Sequence, residues 1–144
     1  MQDLGKERES FWKTEPKKVP DSVKRLQEMV REQIACKEEM VPAALDDCLW
    51  EVIELYKGTP FMTAKKLEFS YSIRGHEMFV TRKDKSITKA TVFLAFHKAI
   101  ELQQKQVDIT GPKKLGTFGA SYLYPIFLEI GIIWCNQQIS LELS

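Results

Sequence analysis

The most constraining feature of the sequence is an alternation of apolar and polar residues that begins at Leu67. The apolar members are Leu67, Phe69, Tyr71 and Ile73, and they are separated by Glu68, Ser70 and Ser72. A period of two residues is typical of a strand with one buried face. Arg74 and Gly75 supply a turn, and residues 76–81 return as a second strand. The sequence therefore predicts a β-hairpin over residues 67–82.

A charged helix is predicted before the hairpin, capped by Asp21 or Ser22 and running to about Glu39. Its apolar residues recur three or four positions apart as a narrow stripe that consists of Val23, Leu26, Val30 and Ile34. Such a stripe packs at the periphery of a fold or against a partner protein.

Two further helices have wider apolar faces and are predicted to belong to the core. Pro42 suits the first turn of the second helix, and Gly58 suits its end. The apolar face of this helix comprises Leu45, Cys48, Leu49, Val52, Ile53 and Tyr56. The third helix is predicted to start near Ile87 with Ser86 as its cap. It is apolar around most of its circumference, so we expect it to be central and buried.

The C-terminal third adds a loop, a helix and a strand. Residues 106–119 form a loop rich in glycine and lysine, and residues 132–135 form a short closing strand. Between them lies a short apolar helix around residues 120–130, in which Pro125 fits if the regular helix starts only near Tyr124.

The order of these elements predicts an α+β fold. It has two N-terminal helices, a β-hairpin, a central buried helix, a Gly/Lys loop, a short apolar helix and a closing strand. Residues 1–20 are charged and interrupted by Pro16 and Pro20, which predicts a flexible tail. Residues 21–144 are predicted to form a single globular domain.

Composition argues against several protein classes. No run of 18 apolar residues is present, so no membrane span is expected, and the charged N-terminus lacks the apolar core of a signal peptide. We therefore expect a cytoplasmic location. The three cysteines include no CxxC pair, which argues against a disulfide framework or a zinc site. No cofactor or metal is predicted.

Enzyme motifs are weak. The G-x-x-x-x-G spacing from Gly111 resembles a phosphate loop, but Thr117 stands where its lysine should follow. His76 and His97 are the two histidines, and neither has a spaced third ligand, so both are expected to be ordinary surface or helix-face residues. No catalytic residue is predicted.

The distribution of charge is more informative than its total of +1. Residues 57–114 hold twelve Lys and Arg against five Asp and Glu, whereas residues 1–56 hold nine against thirteen. A basic region of this kind favours an anion-binding surface. Helix N-termini, hydroxyl groups and glycine-rich backbone add to the attraction for phosphate. The predicted anion-binding residues are Lys65, Lys66, Arg74, Arg82, Lys83, Lys85, Ser86, Thr88, Lys89, Thr110, Lys113, Lys114 and Thr117.

Two runs of sequence, EMFVTRKDKSIT and GPKKLGTFGASYLYP, are distinctive. Through them, residues 58–133 resemble a set of small bacterial proteins of uncharacterised activity. The resemblance implies a bacterial or mobile-element origin and no particular chemistry.

These observations favour a small regulatory protein that binds nucleic acid, most simply duplex DNA, through phosphate contacts. A protein-interaction or inhibitor module, with the helix of residues 21–39 as its partner surface, is an alternative. An enzyme acting on a phosphorylated small molecule is a third.

Overall fold

The computed structural model describes residues 19–134, which contain four α-helices and two small antiparallel sheets and confirm the α+β fold. The helices are α1 (Asp21–Cys36), α2 (Ala43–Leu55), α3 (Lys89–Gln104) and α4 (Ala120–Glu129), with a 3-10 helix at Pro112–Leu115. The strands are β1 (Phe61–Met62), β2 (Glu68–Phe69), β3 (Tyr71–Arg74), β4 (Glu77–Val80) and β5 (Ile87–Thr88). None of the helices in these residues is both long and apolar enough to cross a membrane.

Helix α1 packs with α2 and α3 through the apolar stripe that the sequence predicts. Val23, Leu26 and Val30 are fully buried in the core and Ile34 is half-buried against it, so the stripe packs mainly within the chain. A protein partner for this helix stays a prediction.

The ends of α1 also differ from the prediction. Its N-cap is Pro20 without any side-chain cap, so neither Asp21 nor Ser22 has that role. The helix ends at Cys36, three residues before the predicted end at about Glu39, because Lys37 adopts a left-handed backbone conformation.

Helix α2 lies in the core as predicted. The apolar face from Leu45 to Ile53 is buried, and Pro42 precedes the first helical residue. Gly58 follows the helix with a φ of +82°, a conformation that favours glycine.

The predicted hairpin is confirmed at β3 and β4, which pair Tyr71 with Val80 and Arg74 with Glu77. The strand is interrupted at Ser70, although Phe69 and Tyr71 on either side are both buried, and β2 pairs with β1. Leu67 is consequently exposed rather than on the buried face, because it belongs to the turn closed by its amide donating to the Thr63 hydroxyl.

Aromatic contacts attach the sheets to the helices. Phe61 stacks on Phe69 and Tyr71, and the Tyr122 ring of α4 meets Phe69 edge-on at 5.0 Å. The Tyr71 hydroxyl donates a 2.6 Å hydrogen bond to the carbonyl of Ile53 in α2. Burial and the proximity of Tyr56 raise the pKa of Tyr71 far above its ordinary value.

Helix α3 is central, as predicted, and one face of it is buried while Leu94, Lys98 and Glu101 are exposed. It starts two residues later than expected. Ile87 and Thr88 form strand β5 and pair with Met78 and Glu77 of β4. The cap is Thr88, whose hydroxyl accepts the Thr91 amide at 3.2 Å. The assignment of Ser86 as the cap is therefore wrong.

Helix α4 begins at Ala120 rather than near Tyr124, so Pro125 lies inside the helix. A proline at its sixth position removes a single hydrogen bond, which this helix tolerates because Leu123, Ile126 and Phe127 anchor it in the core. Gly131, with a φ of +78°, follows the helix, and the Ile132 amide donates back to Phe127.

The closing strand is absent from the described residues, where 132–134 have no strand partner. Instead, the side-chain amide of Gln103 in α3 forms the two backbone hydrogen bonds that a neighbouring strand would otherwise form with this segment. Its Nε2 donates to Ile132 O at 3.1 Å, and its Oε1 accepts the Trp134 amide at 2.9 Å. Cys135, the end of the predicted strand, and residues 1–18 of the predicted tail lie outside the described residues.

Candidate functional site

Two of the basic segments predicted from the sequence meet at the ring of Phe118. The ammonium nitrogens of Lys83 and Lys85 each lie 5.0 Å from the centre of this ring, which is 40% exposed. Two atoms at that distance from one point are no more than about 10 Å apart. The loop before β5 therefore places Lys83 and Lys85 against Phe118, which belongs to the same Gly/Lys loop as Lys113 and Lys114.

A close approach of Gly119 to Ile87 holds the two loops together. A Cβ atom on Gly119 would lie 2.4 Å from Ile87 Cδ1, closer than any side chain tolerates, and the φ of Gly119 is +77°. This glycine faces the core, so it does not provide the open backbone for a phosphate that the sequence suggested.

The 3-10 helix Pro112–Leu115 orients the second pair of lysines. Leu115 is buried and anchors this helix, whereas Lys113 and Lys114 are exposed. Gly116 ends the helix with a φ of +65°, and the chain reaches Phe118 two residues later. We call Lys83, Lys85, Lys113, Lys114 and Phe118 the basic surface.

Two threonines of this loop were also predicted to bind an anion. Thr110 is exposed at the start of the loop. The Thr117 hydroxyl is buried and has no hydrogen-bond partner within residues 19–134, which makes it the one buried side-chain oxygen or nitrogen there left unsatisfied. A buried hydroxyl without a partner is a donor that a nearby acceptor would satisfy.

The hydroxyl groups at the start of α3 are engaged within the protein. Ser86 donates to the carboxylate of Glu77, and Thr88 is occupied by capping α3. The Lys89 amide donates to His76 O at 2.8 Å. Both hydroxyls are therefore engaged within the protein, and an anion-binding role for Ser86 and Thr88 stays a prediction.

The remaining cations have other surroundings. Lys89 lies over the rings of Trp50 and Phe93, at 5.2 and 5.7 Å, along the contact between α2 and α3. The Arg74 guanidinium lies 4.0 Å from the centre of the Phe79 ring, and its residue pairs with Glu77 across the sheet. Both cations already have partners that hold them.

The hairpin separates its basic residues along its length. Arg74 lies beside the β3–β4 turn, whereas Arg82 follows the other end of β4 and its guanidinium approaches Glu68 O at 3.5 Å. Strand rise makes this separation about 17 Å. Lys65 and Lys66 are exposed in the separate turn between β1 and β2. Arg82 thus adjoins the basic surface through Lys83, and Arg74 lies away from it.

Sequence reasoning missed Phe118, the residue on which the basic surface is centred. An aromatic side chain between Gly116 and Gly119 is a signal that could have identified it, because a ring in a glycine-rich turn cannot easily reach the core. The aromatic neighbourhood of His97 was also not visible: His97 Nε2 lies 2.8 Å from Asp46 Oδ1, and Phe93 stacks on the imidazole. This pair connects α3 to α2, as expected for a structural histidine.

Comparisons with protein-family models, with curated proteins and with solved structures find no match for this chain. The resemblance to small bacterial proteins therefore stays a prediction.

Proposed function

We propose that this protein binds nucleic acid, with duplex DNA as the first ligand to test, through phosphate contacts made by the basic surface. The observation that carries the proposal is the convergence of Lys83 and Lys85 on the exposed ring of Phe118. Lysine ammonium groups are common phosphate ligands. In a regulatory role, the protein would act by binding to DNA and not by catalysing a reaction on it.

The ring prepares the two lysines for an anion. A cation over an aromatic face is weakly attracted by the ring, by about 0.5–1 kcal/mol at exposed sites. This restricts two long side chains without neutralising their charge, so less conformational entropy is lost when a phosphate binds. The surplus of basic residues over 57–114 adds a longer-range attraction for a polyanion.

The type of contact also predicts its selectivity. Phosphate contacts fix the position of a protein on the duplex but do not read its base sequence. The basic surface lies on loops and a four-residue 3-10 helix, not on a long helix that could enter the major groove. We therefore expect affinity that depends strongly on salt and weakly on sequence.

The experiment measures duplex affinity as a function of salt for paired alanine variants. Lys83→Ala/Lys85→Ala should reduce the log–log salt slope by up to about 1.8, since each lost phosphate contact changes it by about 0.9. Lys113→Ala/Lys114→Ala should behave likewise. The matched control is Lys98→Ala/Lys105→Ala, which removes the same charge from two exposed lysines that pair with Glu101 in the second half of α3.

Two results would contradict the proposal. One is no measurable duplex binding by the parent protein at low salt, and the other is a slope that falls equally in the control. Thermal stabilisation by nucleotides without any by duplex DNA would favour an enzyme acting on a phosphorylated small molecule. Concentration-dependent mass without binding to either would favour the interaction module.

A further inference from the structure

An exposed apolar groove runs along the side of the molecule where the described chain begins. Its apolar members are large side chains that are between 42% and 52% exposed, namely Val19, Leu55, Met62 and Leu128. They come from four different segments, the chain before α1, the end of α2, strand β1 and helix α4. Exposed apolar side chains that gather in this way mark a surface that another chain segment covers.

The groove is continuous because two neighbouring hollows share a wall. One hollow, of about 410 Å³, is lined by Val19, Leu55 and Tyr56. The other, of about 400 Å³, is lined by Met62 and Leu128 together with two prolines, Pro60 and Pro125. Glu129 lines both, and Thr59 of the first hollow precedes Pro60 of the second.

We propose that the N-terminal segment of this same chain, residues 1–18, occupies the groove through Phe11 and Trp12. The segment joins the described structure at Val19, which itself lines the groove. Trp12 precedes Val19 by seven positions, and an extended chain over seven steps reaches about 23–25 Å. Phe11 and Trp12 are the aromatic residues of an otherwise charged segment, so they are the ones that gain most from burial.

The charges of the segment and the groove complement each other. Glu129 and Glu68 line the groove, and burial followed by the negative charge of Glu129 raises the pKa of Tyr56 beside it. After the aromatic pair the segment holds Lys13, Lys17 and Lys18 against one acidic residue, Glu15. Docking in an extended form needs no helix, so Pro16 and Pro20 do not oppose it.

The test observes Trp12 directly in the full-length protein labelled with 5-fluorotryptophan. Fluorine NMR then reports the three tryptophans separately, and Trp12→Phe assigns the resonance of interest. We expect the chemical shift of Trp12 in the folded parent protein to differ from its value in urea. In Leu128→Ser and in Leu55→Ser, the shift should move towards the urea value. The matched control is Leu94→Ser, because Leu94 is an exposed leucine of α3 outside the groove.

Each outcome decides the question. A Trp12 resonance that already lies at its urea position in the parent protein would overturn the proposal, as would equal movement in the Leu94→Ser control. Movement of the resonance on dilution, together with a dimer in sedimentation equilibrium, would also overturn it, because the occupant would then be the segment of a second copy. If either leucine variant fails to fold, Met62→Gln applies the same test from strand β1.

Discussion

Replacement of Gly119 with alanine tests the contact on which the basic surface depends. The added methyl carbon would meet Ile87 Cδ1 at 2.4 Å and Cγ1 at 2.8 Å. Overpacking of this kind costs about 1–3 kcal/mol. The φ of +77° adds about 1–2 kcal/mol, since a side chain with Cβ rarely adopts it. We therefore expect Gly119→Ala to lower the free energy of unfolding by about 2–5 kcal/mol.

The same loop contains the control for backbone strain. Gly116 has a φ of +65°, but a Cβ there would meet nothing within 4 Å. Gly116→Ala should therefore show the strain alone, about 1–2 kcal/mol. Urea titrations give the free energy of unfolding of both variants, and the two values are comparable if the m-value is the same for both. The difference between them measures the contact with Ile87.

A double-mutant cycle tests the identity of the contact. Ile87→Val removes Cδ1, and by itself it should cost about 0.5–1.5 kcal/mol. In the Gly119→Ala background it should cost less, or stabilise, because it removes the nearest clashing atom. Equal losses for the two glycine variants, or strictly additive effects in the cycle, would refute the packing of this loop on β5.

Three further predictions concern stability in denaturant titrations. Phe69→Ala should cost about 3–5 kcal/mol because the ring is buried between Phe61 and Tyr122, and a loss under about 1 kcal/mol would contradict that packing. Thr88→Ala should cost about 1 kcal/mol as the cap of α3, whereas Ser86→Ala should cost less than about 0.5 kcal/mol; the reverse order would restore Ser86 as the cap. Gln103→Ala should cost about 1–3 kcal/mol by leaving Ile132 O and the Trp134 amide without their partner, and a neutral effect would show that water replaces it.

The elements that were predicted correctly are those in which apolar residues recur at a regular spacing along the chain. The apolar face of α2, the broad apolar surface of α3 and the alternation in β3 each follow from neighbours in the chain. The same patterns could not show that β5 exists, because two residues are too few to establish a period. Ser86 was consequently assigned the capping role that Thr88 fulfils.

The differences elsewhere have a common cause in long-range contacts. The apolar stripe of α1 is narrow enough for a partner surface, and only the packing of α2 and α3 shows that it is mainly covered within the chain. Residues 132–134 have the composition of a strand, but a side-chain amide from Gln103, some thirty positions earlier, takes the place of a neighbouring strand. Periodicity carries no information about either contact.

The sequence predicted which region of the chain holds the candidate site but not how its side chains are arranged in space. Charge counting selected residues 57–114 but could not distinguish cations that the protein holds from those it leaves available. Arg74 lies over the Phe79 ring and Lys89 over the Trp50 and Phe93 rings, whereas Lys83 and Lys85 share the exposed ring of Phe118. The sequence showed none of these ring contacts.

The arrangement around Phe118 differs from the other ring contacts because two cations share one ring. Lys83 and Lys85 lie within about 10 Å of each other, where like charges repel by about 0.4 kcal/mol in water and about 1.7 kcal/mol at the effective dielectric near a protein surface. One ring offsets that repulsion only in part. A phosphate placed near both ammonium groups would replace this repulsion by two attractions. Arg74 and Lys89 do not share their rings with a second cation of residues 19–134, so a phosphate beside either of them would relieve no such repulsion. If the proposed phosphate contact forms at the basic surface, removing either lysine should weaken binding by more than removing Arg74.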